Sequence, residues 1–336
     1  MVVTNTIDKY VDLPVEMIDK SIFEALEHLE PFLTEIASEN NTALTESAVY
    51  SIKSGGKRLR PLLLFTIYRA LGGSNFNEII PLAASIEMVH TATLIHDDII
   101  DNAPLRRGRP SVVEQFSMPY AIVTGDFLFV KAFELATTYK RGIMLMVAKA
   151  CIDLAEGEVI ESKYRYKENM NVNEYINIVT RKTASAIAAV SRSAAMVLDM
   201  STEVTDAMER YGLNLGIAFQ IKDDILDIYG TEEVIGKKRY TDLKTGNHTI
   251  MSLIAIQQLD SKDKEEFIKI FIKKNKDERD VDKLVDLIKK SGAEKIAMDI
   301  AHQYVDKVIR ELSVIKDKKY MEILRLIAEK SIERSF

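Results

Sequence analysis

The sequence predicts an all-α fold, and three observations support this prediction. Apolar residues recur at helical spacing along most of the chain, beginning with Ile18, Ile22, Leu26, Leu29, Leu33 and Ile36. Helix breakers are few, with 7 prolines and 14 glycines in 336 residues. Aromatic residues are sparse and tryptophan is absent, whereas sandwiches and barrels need many short strands rich in aromatic and β-branched residues.

Glycine and proline mark the ends of the first four predicted helices. The first covers residues 15–36, and the second ends at "SGGKRLRP", whose glycines stop it and whose proline can open the next helix. The third, "PLLLFTIYRALGG", ends at Gly72. A longer helix follows from about residue 78 to residue 102 and ends before Pro104.

The pattern remains helical through the second half of the chain. Asn171 and Glu174 have the spacing of an N-cap with its reciprocal acid, and a long helix is predicted over about residues 205–229. The stretch "GTEEVIGKKRYTDLKTGNHT" has no clear period and is typical of a functional loop. The last 85 residues resemble solvated helices. Because no repeat, low-complexity segment or linker interrupts the chain, we expect a single domain over residues 1–336.

Composition excludes several classes of function. The formal charge of −6 argues against a nucleic-acid partner. Cys151 is the only cysteine, so an intrachain disulfide and a cysteine-based metal site are excluded. The first residues carry acids and no long apolar run, unlike a secretory signal. No apolar run approaches the ~18 residues of a spanning helix, so we expect a cytoplasmic protein without a transmembrane segment.

Two apolar stretches, "LIHDDIID" and "FQIKDDILDIYG", carry the same pattern Asp-Asp-x-x-Asp. On a helix, residues four apart share one face, so Asp97 and Asp101 point to the same side, as do Asp223 and Asp227. Burying carboxylates without partners is very costly, and hard cations such as Mg²⁺ are their natural partners. A single block would be explained equally well by a solvated helix face, but two blocks with the same spacing favour a metal site.

Two basic clusters fit a polyanion bridged by metal between these blocks. Each would separately be explained by a solvated face, but beside paired carboxylates they favour diphosphate binding, because arginine presents a planar fork to phosphate and lysine a point charge. "GGKRLRP" supplies Lys57, Arg58 and Arg60, and "LRRGRPS" supplies Arg106, Arg107 and Arg109.

The histidines and the nucleotide motifs test other kinds of site. Glu87 and His90 match the Glu-x-x-His spacing of helical di-metal proteins once, and no second match exists, which argues against a redox di-iron site. His90 is either a core histidine or a phosphate donor, and His96 is interpreted as structural. The sequence has neither a phosphate-binding P-loop nor a Gly-x-Gly-x-x-Gly motif.

These motifs together resemble the all-trans isoprenyl diphosphate synthases, or polyprenyl synthetases, over roughly residues 20–330. The resemblance rests on the order of "GGKRLRP", "HTATLIHDDIIDNAPLRRGRPS", "GDFLF", "RKTAS", "FQIKDDILD" and "GKKRYTDLKTGNHT". It implies one large bundle of mostly antiparallel helices around a deep apolar cavity, usually in a homodimer.

The resemblance also implies a role for each matching residue. Isopentenyl diphosphate would be bound by Lys57, Arg60, His90 and Arg107. The allylic diphosphate would be bound by Arg106, Lys182, Thr183, Gln220 and Lys237. Mg²⁺, with three ions per active site, would be held by Asp97, Asp101, Asp223 and Asp227, with Asp224 in support. Catalytic roles would fall to Asp97, Asp101, Asp223, Lys182 and Lys237.

The implied reaction needs no protein nucleophile. Metal and cations would neutralise charge as the allylic diphosphate leaves, and the double bond of isopentenyl diphosphate would attack the allylic cation. One position departs from the family pattern, because Asn247 replaces the usual second lysine after the second block. Lys238, Lys244 or His248 could take over its contact.

Two other functions share some of these features. A class I terpene cyclase has an aspartate-lined helical bundle but lacks the second Asp-Asp-x-x-Asp block and the isopentenyl diphosphate residues. A non-catalytic partner subunit typically loses one or both blocks, and both are intact here.

Small residues that precede Asp97 in the predicted helix indicate the length of the product. In the family, an aromatic residue at the fourth or fifth position before the first aspartate stops chain growth, and these positions are Thr93 and Ala92 here. With Val89, they would form an open wall of the cavity. We therefore expect a product longer than C20, C30 to C40, with geranylgeranyl (C20) or farnesyl diphosphate as the alternative. Helix packing is the other explanation for small residues at these positions, with a floor supplied by Met144 or Val147.

Overall fold

The computed structural model describes residues 19–39, 42–56, 58–230 and 239–333. These residues are almost entirely helical, and the predicted all-α class is confirmed. Within them the β-structure is one short antiparallel ladder, in which β1 (Leu105–Arg106) pairs with β2 (Arg109–Pro110). The chain divides into two compact units, and the expected single domain stays a prediction.

The first unit comprises the chain up to Cys151 together with Ala189–Glu209 and Leu312–Ile327. Its helices are α1 (Lys20–Ser38), α2 (Ala43–Lys53), α3 (Leu59–Ala70), α4 (Ile80–Ile100), α5 (Val112–Gln115) and α6 (Met118–Ala136). The predicted start of α1 at Val15 lies outside the described residues, and Asp19 caps the helix by accepting a hydrogen bond from the Ser21 amide at 3.0 Å. The long predicted helix is α4, which begins after a 3₁₀ turn at Phe76–Glu78.

The core of the first unit is built around α4. This helix packs along α6 and also contacts α1 and α3. Most of the predicted apolar stripe of α1 is buried in the unit, with Ile22, Leu29 and Leu33 fully covered. Ile36 is half-buried, and Ile18 lies outside the described residues. The break between α2 and α3 falls at the predicted glycines, because Gly55 has φ +84° and Gly56 φ +151°, values that residues with a side chain rarely adopt.

The second unit comprises Ile152–Ala188, Arg210–Glu311 and the chain from Ala328. Its helices are α8 (Val172–Val179), α11 (Thr241–Thr245), α12 (Ile250–Gln258), α13 (Ser261–Phe271), α14 (Glu278–Ser291) and α15 (Ala293–Glu311). The helices α7 (Arg141–Tyr164), α9 (Ser185–Val197), α10 (Thr202–Tyr229) and α16 (Lys318–Glu333) contribute residues to both units. A π-helical turn, Thr180–Ala184, joins α8 to α9.

Local signals account for several helix ends in the second unit. Asn171 and Glu174 form the predicted reciprocal cap, with amide-to-side-chain distances of 3.1 and 2.7 Å. Helix α12 packs on α14 and α15. The stretch predicted to be a loop contains α11, and its residues 231–238 lie outside the described part of the chain. None of the described helices is both long enough and apolar enough to cross a membrane.

Candidate active site

The first aspartate block lies at the C-terminal end of α4. Asp97 is partly exposed, and Asp101 is the exposed C-cap residue. A helix C-terminus carries partial negative charge, so two carboxylates there make the position strongly attractive to cations. The block therefore has the electrostatics of a cation site rather than of a neutral helix end.

The middle aspartate of the block is turned inward. Asp98 is buried, and its Oδ1 accepts hydrogen bonds from Arg106 Nε at 2.9 Å and Arg106 Nη2 at 2.5 Å. Burial raises the pKa of Asp98, and the neighbouring guanidinium opposes the shift. Arg106, predicted to bind the allylic diphosphate, is thus fixed beside the first block.

Three of the residues predicted to bind isopentenyl diphosphate lie together in the first unit. Burial first, and then Arg60 and Arg107, lower the pKa of His90 well below its ordinary value, so His90 is a neutral hydrogen-bonding group in the free protein. A Cβ at Gly56 would lie 2.7 Å from Arg107 Nη1, so the guanidinium packs directly against this glycine and would have to move for any larger residue. Within the described residues, the buried Nε of Arg60 has no hydrogen-bond partner. Lys57 lies outside the described residues.

The second aspartate block lies on α10 in the second unit. Asp224 is buried and accepts hydrogen bonds from Tyr175 Oη at 2.7 Å, Gln220 Nε2 at 2.9 Å and the Ile250 amide at 3.2 Å. Burial raises the pKa of Asp224 to about 7. Asp227 is also buried, and Asp223 is the partly exposed member of the block.

The predicted allylic-diphosphate residues of the second unit meet at the π-helical turn. Thr183 Oγ1 donates to Gln220 Oε1 at 2.9 Å, which links this turn to Asp224. Lys182 Nζ lies 2.5 Å from Glu158 Oε2 and 2.6 Å from Glu161 Oε2. Burial lowers the pKa of Lys182, but the two carboxylates outweigh it and the pKa is raised. Lys237 lies outside the described residues.

Glu158 and Glu161 are the site residues that sequence reasoning missed. They stand three apart on α7, where acids are usually assigned to a solvated face, and only the tertiary contact with Lys182 distinguishes them. Burial raises the pKa of Glu161, and Lys182 opposes the shift. The Lys182 ammonium is therefore already held by carboxylates in the free protein.

The surroundings of Asn247 decide which residues could replace the missing lysine. Its Oδ1 accepts a hydrogen bond from Arg165 Nε at 2.8 Å. His248 Nε2 donates to the Lys167 carbonyl at 2.6 Å, and burial lowers the pKa of His248 to about 4. His248 is therefore neutral and does not supply the missing charge. Lys244 is exposed, and Lys238 lies outside the described residues.

The carboxylates fit a hard divalent cation. In the part of the chain that the structure describes, no three or more His, Cys, Asp or Glu side chains are already gathered around one point. Mg²⁺ does not require such a cage, because it keeps several waters and binds through one or two carboxylates plus substrate phosphates. Asp97 and Asp101, four residues apart at one helix end, match that donor set.

The small residues before Asp97 lie where α4 packs on α6. Ser85 Oγ donates to the Ala132 carbonyl at 2.7 Å, and a Cβ at Gly125 would lie 2.2 Å from His96 Nε2. Since Ser85, Ala92 and His96 follow one another at helical spacing, Ala92 lies on this same face and is fully buried. The two helices are thus in close contact on either side of Ala92.

Comparison with known proteins identifies the family. The sequence model of the family "Polyprenyl synthetase" matches residues 41–288. The chain belongs to the polyprenyl synthetase family. The predicted resemblance and the predicted enzyme class, trans-isoprenyl diphosphate synthase, are confirmed. Family members are metal-dependent prenyltransferases.

Similar proteins cover nearly the whole of this prenyltransferase. It is 32% identical over 324 residues to the short chain isoprenyl diphosphate synthase of Methanothermobacter thermautotrophicus, covering 95% of this chain and 96% of that protein. It is 32% identical to the geranylgeranyl diphosphate synthase of Methanosarcina mazei, covering 87% of this chain and 90% of that protein.

Similar crystal structures include two bacterial enzymes. The polyprenyl synthase of Caulobacter crescentus, complexed with calcium and isoprenyl diphosphate, has a TM-score of 0.89 and 32% identity, covering 96% of this chain and 98% of that one. The decaprenyl diphosphate synthase of Rhodobacter capsulatus has a TM-score of 0.87 and 29% identity, covering 94% and 97%.

Proposed function

We propose that this prenyltransferase condenses isopentenyl diphosphate with an allylic diphosphate to extend an all-trans chain, with geranylgeranyl diphosphate as its product. One observation carries the proposal: a single helix, α4, bears both the first aspartate pair and His90, which lies near the charges of Arg60 and Arg107. His90 precedes Asp97 by seven residues, about 10 Å along the helix axis at 1.5 Å per residue. An anion site and a metal site are thereby held at a fixed separation.

The cations of the first unit are proposed to bind isopentenyl diphosphate. Arg60 and Arg107 supply charge and His90 supplies a neutral hydrogen bond, because its pKa is far below neutrality. The buried Arg60 Nε, which has no hydrogen-bond partner among the described residues, is a donor that a phosphate oxygen would satisfy. Lys57 completes this set from the sequence pattern.

The residues around the π-helical turn are proposed to bind the allylic diphosphate. Thr183 and Gln220 are oriented by Asp224, and Lys182 would exchange one of its glutamate partners for a phosphate oxygen. Arg106, held by Asp98, and Lys237 complete this set from the sequence pattern. Carboxylates that hold a lysine before substrate arrives keep its ammonium ionised and in place.

We propose that the metal is Mg²⁺, with three ions per active site, held by Asp97, Asp101, Asp223 and Asp227. Bound metal supplies charge neutralisation for the departing diphosphate. The protein's own residues orient the two diphosphates, provide hydrogen bonds to the leaving group and keep water from the allylic carbon. No side chain is required to form a covalent bond to either substrate.

A C20 product agrees better with the relatives than the C30 to C40 product expected from the sequence. The two curated relatives described above are named as short-chain and geranylgeranyl synthases, although the Rhodobacter structure is a decaprenyl synthase. Ser85, about 18 Å before Asp97 along α4, donates a hydrogen bond to the Ala132 carbonyl of α6. The close packing of these two helices supports a short product, because it leaves less room for a long chain beside α4.

A homodimer is proposed from the surface of α6. Its side toward α4 carries small residues, whereas its other side exposes Met118, Ile122, Val123 and Val130, the last 65% exposed. Large apolar side chains gathered on the outside of a helix mark an association surface. A second copy of the chain would cover them across a two-fold axis.

The proposed function is tested by incubating the purified protein with Mg²⁺, labelled isopentenyl diphosphate and allylic primers of increasing length. We expect Mg²⁺-dependent incorporation and a main product of C20 after removal of the diphosphate. A cyclic hydrocarbon product would indicate a terpene cyclase, and no incorporation with any primer would indicate a non-catalytic subunit. A main product of C30 or longer would reject the proposed length while retaining the activity.

The two diphosphate sites are expected to respond separately to mutation. Lys57→Ala and Arg60→Ala should raise the KM for isopentenyl diphosphate, and Lys182→Ala and Lys237→Ala the KM for the allylic substrate, each by about tenfold or more because a charged hydrogen bond is lost. Steady-state kinetics with each substrate varied in turn measures both constants. Lys140→Ala, which removes an exposed lysine paired with Asp199, is the control. Equal effects on both substrates would contradict the division.

Ala92→Phe is expected to shorten the product to C15 or less. Ala92 lies about 7–8 Å from Asp97 along α4, where this helix packs on α6, and we expect a ring there to displace the packing into the path of the growing chain and stop it early. Chromatography of the products measures the effect. Ala83→Phe overpacks a buried alanine on the opposite face of α4, nine residues from Ala92, and should lower stability without shortening the product. The same shortening in both variants would show that overpacking, and not obstruction, changed the product.

A further inference from the structure

Glu87 is a buried carboxylate among the cations of the first unit. It lies on α4, one turn before His90, and is 2% exposed. Its Oε1 accepts a hydrogen bond from Arg58 Nη1 at 2.6 Å, and Arg58 is also almost completely buried. The roles implied by the family resemblance include neither residue, although Arg58 belongs to the basic cluster that was predicted to bind diphosphate.

Each nitrogen of the Arg58 guanidinium donates a hydrogen bond to another residue of the protein. Its Nε and Nη2 donate to Glu30 at 2.5 and 3.1 Å, and Nη2 also donates to the Ile52 carbonyl at 2.9 Å. Burial lowers the pKa of Arg58, but Glu30 and Glu87 outweigh it, so Arg58 is permanently charged. Arg58 therefore binds no diphosphate, although it stands between Lys57 and Arg60 in the basic motif.

The backbone conformation at Arg58 shows which elements the ion pair between Arg58 and Glu87 joins. Arg58 has φ +42°, a left-handed conformation that is unusual for a residue with a side chain, and it is the N-cap of α3. Arg60 lies in the first turn of α3, two residues after Arg58. The ion pair to Glu87 thus ties the start of α3 to α4, and Arg60 and His90 are carried on these two joined elements.

Glu87 also acts on the two arginines proposed to bind diphosphate. Burial lowers the pKa values of Arg60 and Arg107, and in both cases the negative charge of Glu87 opposes the shift. Without that charge, Arg58, Arg60 and Arg107 would repel one another in a site with little water. Glu87 is therefore the resident counter-charge of this group before any substrate binds.

We propose that Glu87, fixed by Arg58, is a positioning residue that keeps Arg60, His90 and Arg107 arranged for isopentenyl diphosphate before this substrate arrives. The inference rests on the proposed function, because the ligand is the diphosphate assigned there. Glu87 touches no substrate. Its contribution is preorganisation, since the site does not have to gather mutually repelling cations during binding.

The test is the kinetics of Glu87→Gln in the full-length enzyme. We expect the KM for isopentenyl diphosphate to rise about tenfold, because the cations are misplaced, while the kcat and the KM for the allylic diphosphate change less than twofold. A purely electrostatic role of Glu87 predicts a lower KM for isopentenyl diphosphate in Glu87→Gln, since removing a negative charge strengthens anion binding. A lower or unchanged KM for isopentenyl diphosphate would therefore overturn the proposal.

Three further variants separate positioning from stability. Arg58→Met should reproduce the rise in KM, and the double variant Arg58→Met/Glu87→Gln should resemble the single variants instead of multiplying them, because both act through one interaction. Glu87→Asp keeps the charge and should restore much of the affinity. Arg69→Met breaks the ion pair with Asp19 in the same unit and should lower Tm with no change in the KM.

The outcomes also distinguish this inference from the proposed function. Wild-type protein that does not incorporate isopentenyl diphosphate would reject the proposed function itself. Active wild type together with an unchanged KM in Glu87→Gln rejects only the positioning role. If Glu87→Gln folds, additive effects of Arg58→Met and Glu87→Gln would overturn the proposal. If it does not fold, Arg58→Met supplies the comparison, and an unchanged KM for isopentenyl diphosphate in that variant would overturn the proposal.

Discussion

Asp97→Asn is expected to lower the turnover of this prenyltransferase by about 100-fold or more, the loss seen when one electrostatic element of an active site is removed. Asp97 and Asp101 stand together at the negative end of α4, and the neutral amide of asparagine is a much weaker ligand for a hard cation. Asp223→Asn should have an equally large effect, because Asp223 is the partly exposed aspartate of the second block. Turnover at saturating Mg²⁺ and both substrates measures the change.

A matched control separates the metal site from general effects of charge. Glu134→Gln removes an exposed carboxylate of the same unit, paired with Lys131, and should leave turnover unchanged. The Tm of the aspartate variants should stay at or above that of the wild type, since each substitution relieves repulsion between neighbouring carboxylates. Near-wild-type turnover of Asp97→Asn or Asp223→Asn would reject these residues as metal ligands.

Gly216→Ala is expected to damage both the stability of the protein and the allylic-diphosphate site. A Cβ at Gly216 would lie 2.5 Å from the Cα of Ala184, a backbone atom of the π-helical turn that carries Lys182 and Thr183. Because the clash is with backbone, the turn must move. We expect a loss of about 2–3 kcal/mol in the free energy of unfolding, in the range of overpacking, and a fall of at least about tenfold in kcat/KM for the allylic substrate.

Urea unfolding and steady-state kinetics measure these two effects, and Gly142→Ala is the control. Gly142 is also helical, but its Cβ would meet only the flexible end of Met196, at 2.9 Å from Cε. The alanine there should be tolerated, because it gains helix propensity and the methionine can move. Wild-type stability and kinetics in Gly216→Ala would show that the close approach does not position the turn.

The sequence was sufficient to predict helix type and several helix boundaries. The end of α2 at its glycines and the reciprocal cap of α8 depend on residues that are neighbours in the chain, so their physics is local. The start of α4 was less well predicted, since a 3₁₀ turn at residues 76–78 precedes the helix. The short ladder at residues 105–110 was not predicted, because two-residue strands have no periodicity to detect.

The pattern around the aspartates also predicted that each block lies on a helix, but not the direction of each side chain. The middle aspartates of the two blocks turn inward, Asp98 to Arg106 and Asp224 to Tyr175 and Gln220. Arg106 stands eight residues from Asp98, and Tyr175 stands 49 residues from Asp224, so neither partner is within reach of a helical pattern. Only Gln220, four residues before Asp224, has a helical spacing. The pattern therefore identified the block, and the fold assigned its members to different tasks.

What the sequence determined by itself is the class of the molecule: an all-α chain with two helical carboxylate pairs, two arginine-rich segments and no nucleophile or nucleotide motif. Tertiary structure alone decided that Arg58 is held by Glu30 and Glu87 while Arg60 and Arg107 remain beside His90, and that Glu158 and Glu161 hold Lys182. The physical reason is that the type of a charged side chain follows from composition, whereas its burial and partner depend on which distant helices the apolar core brings together.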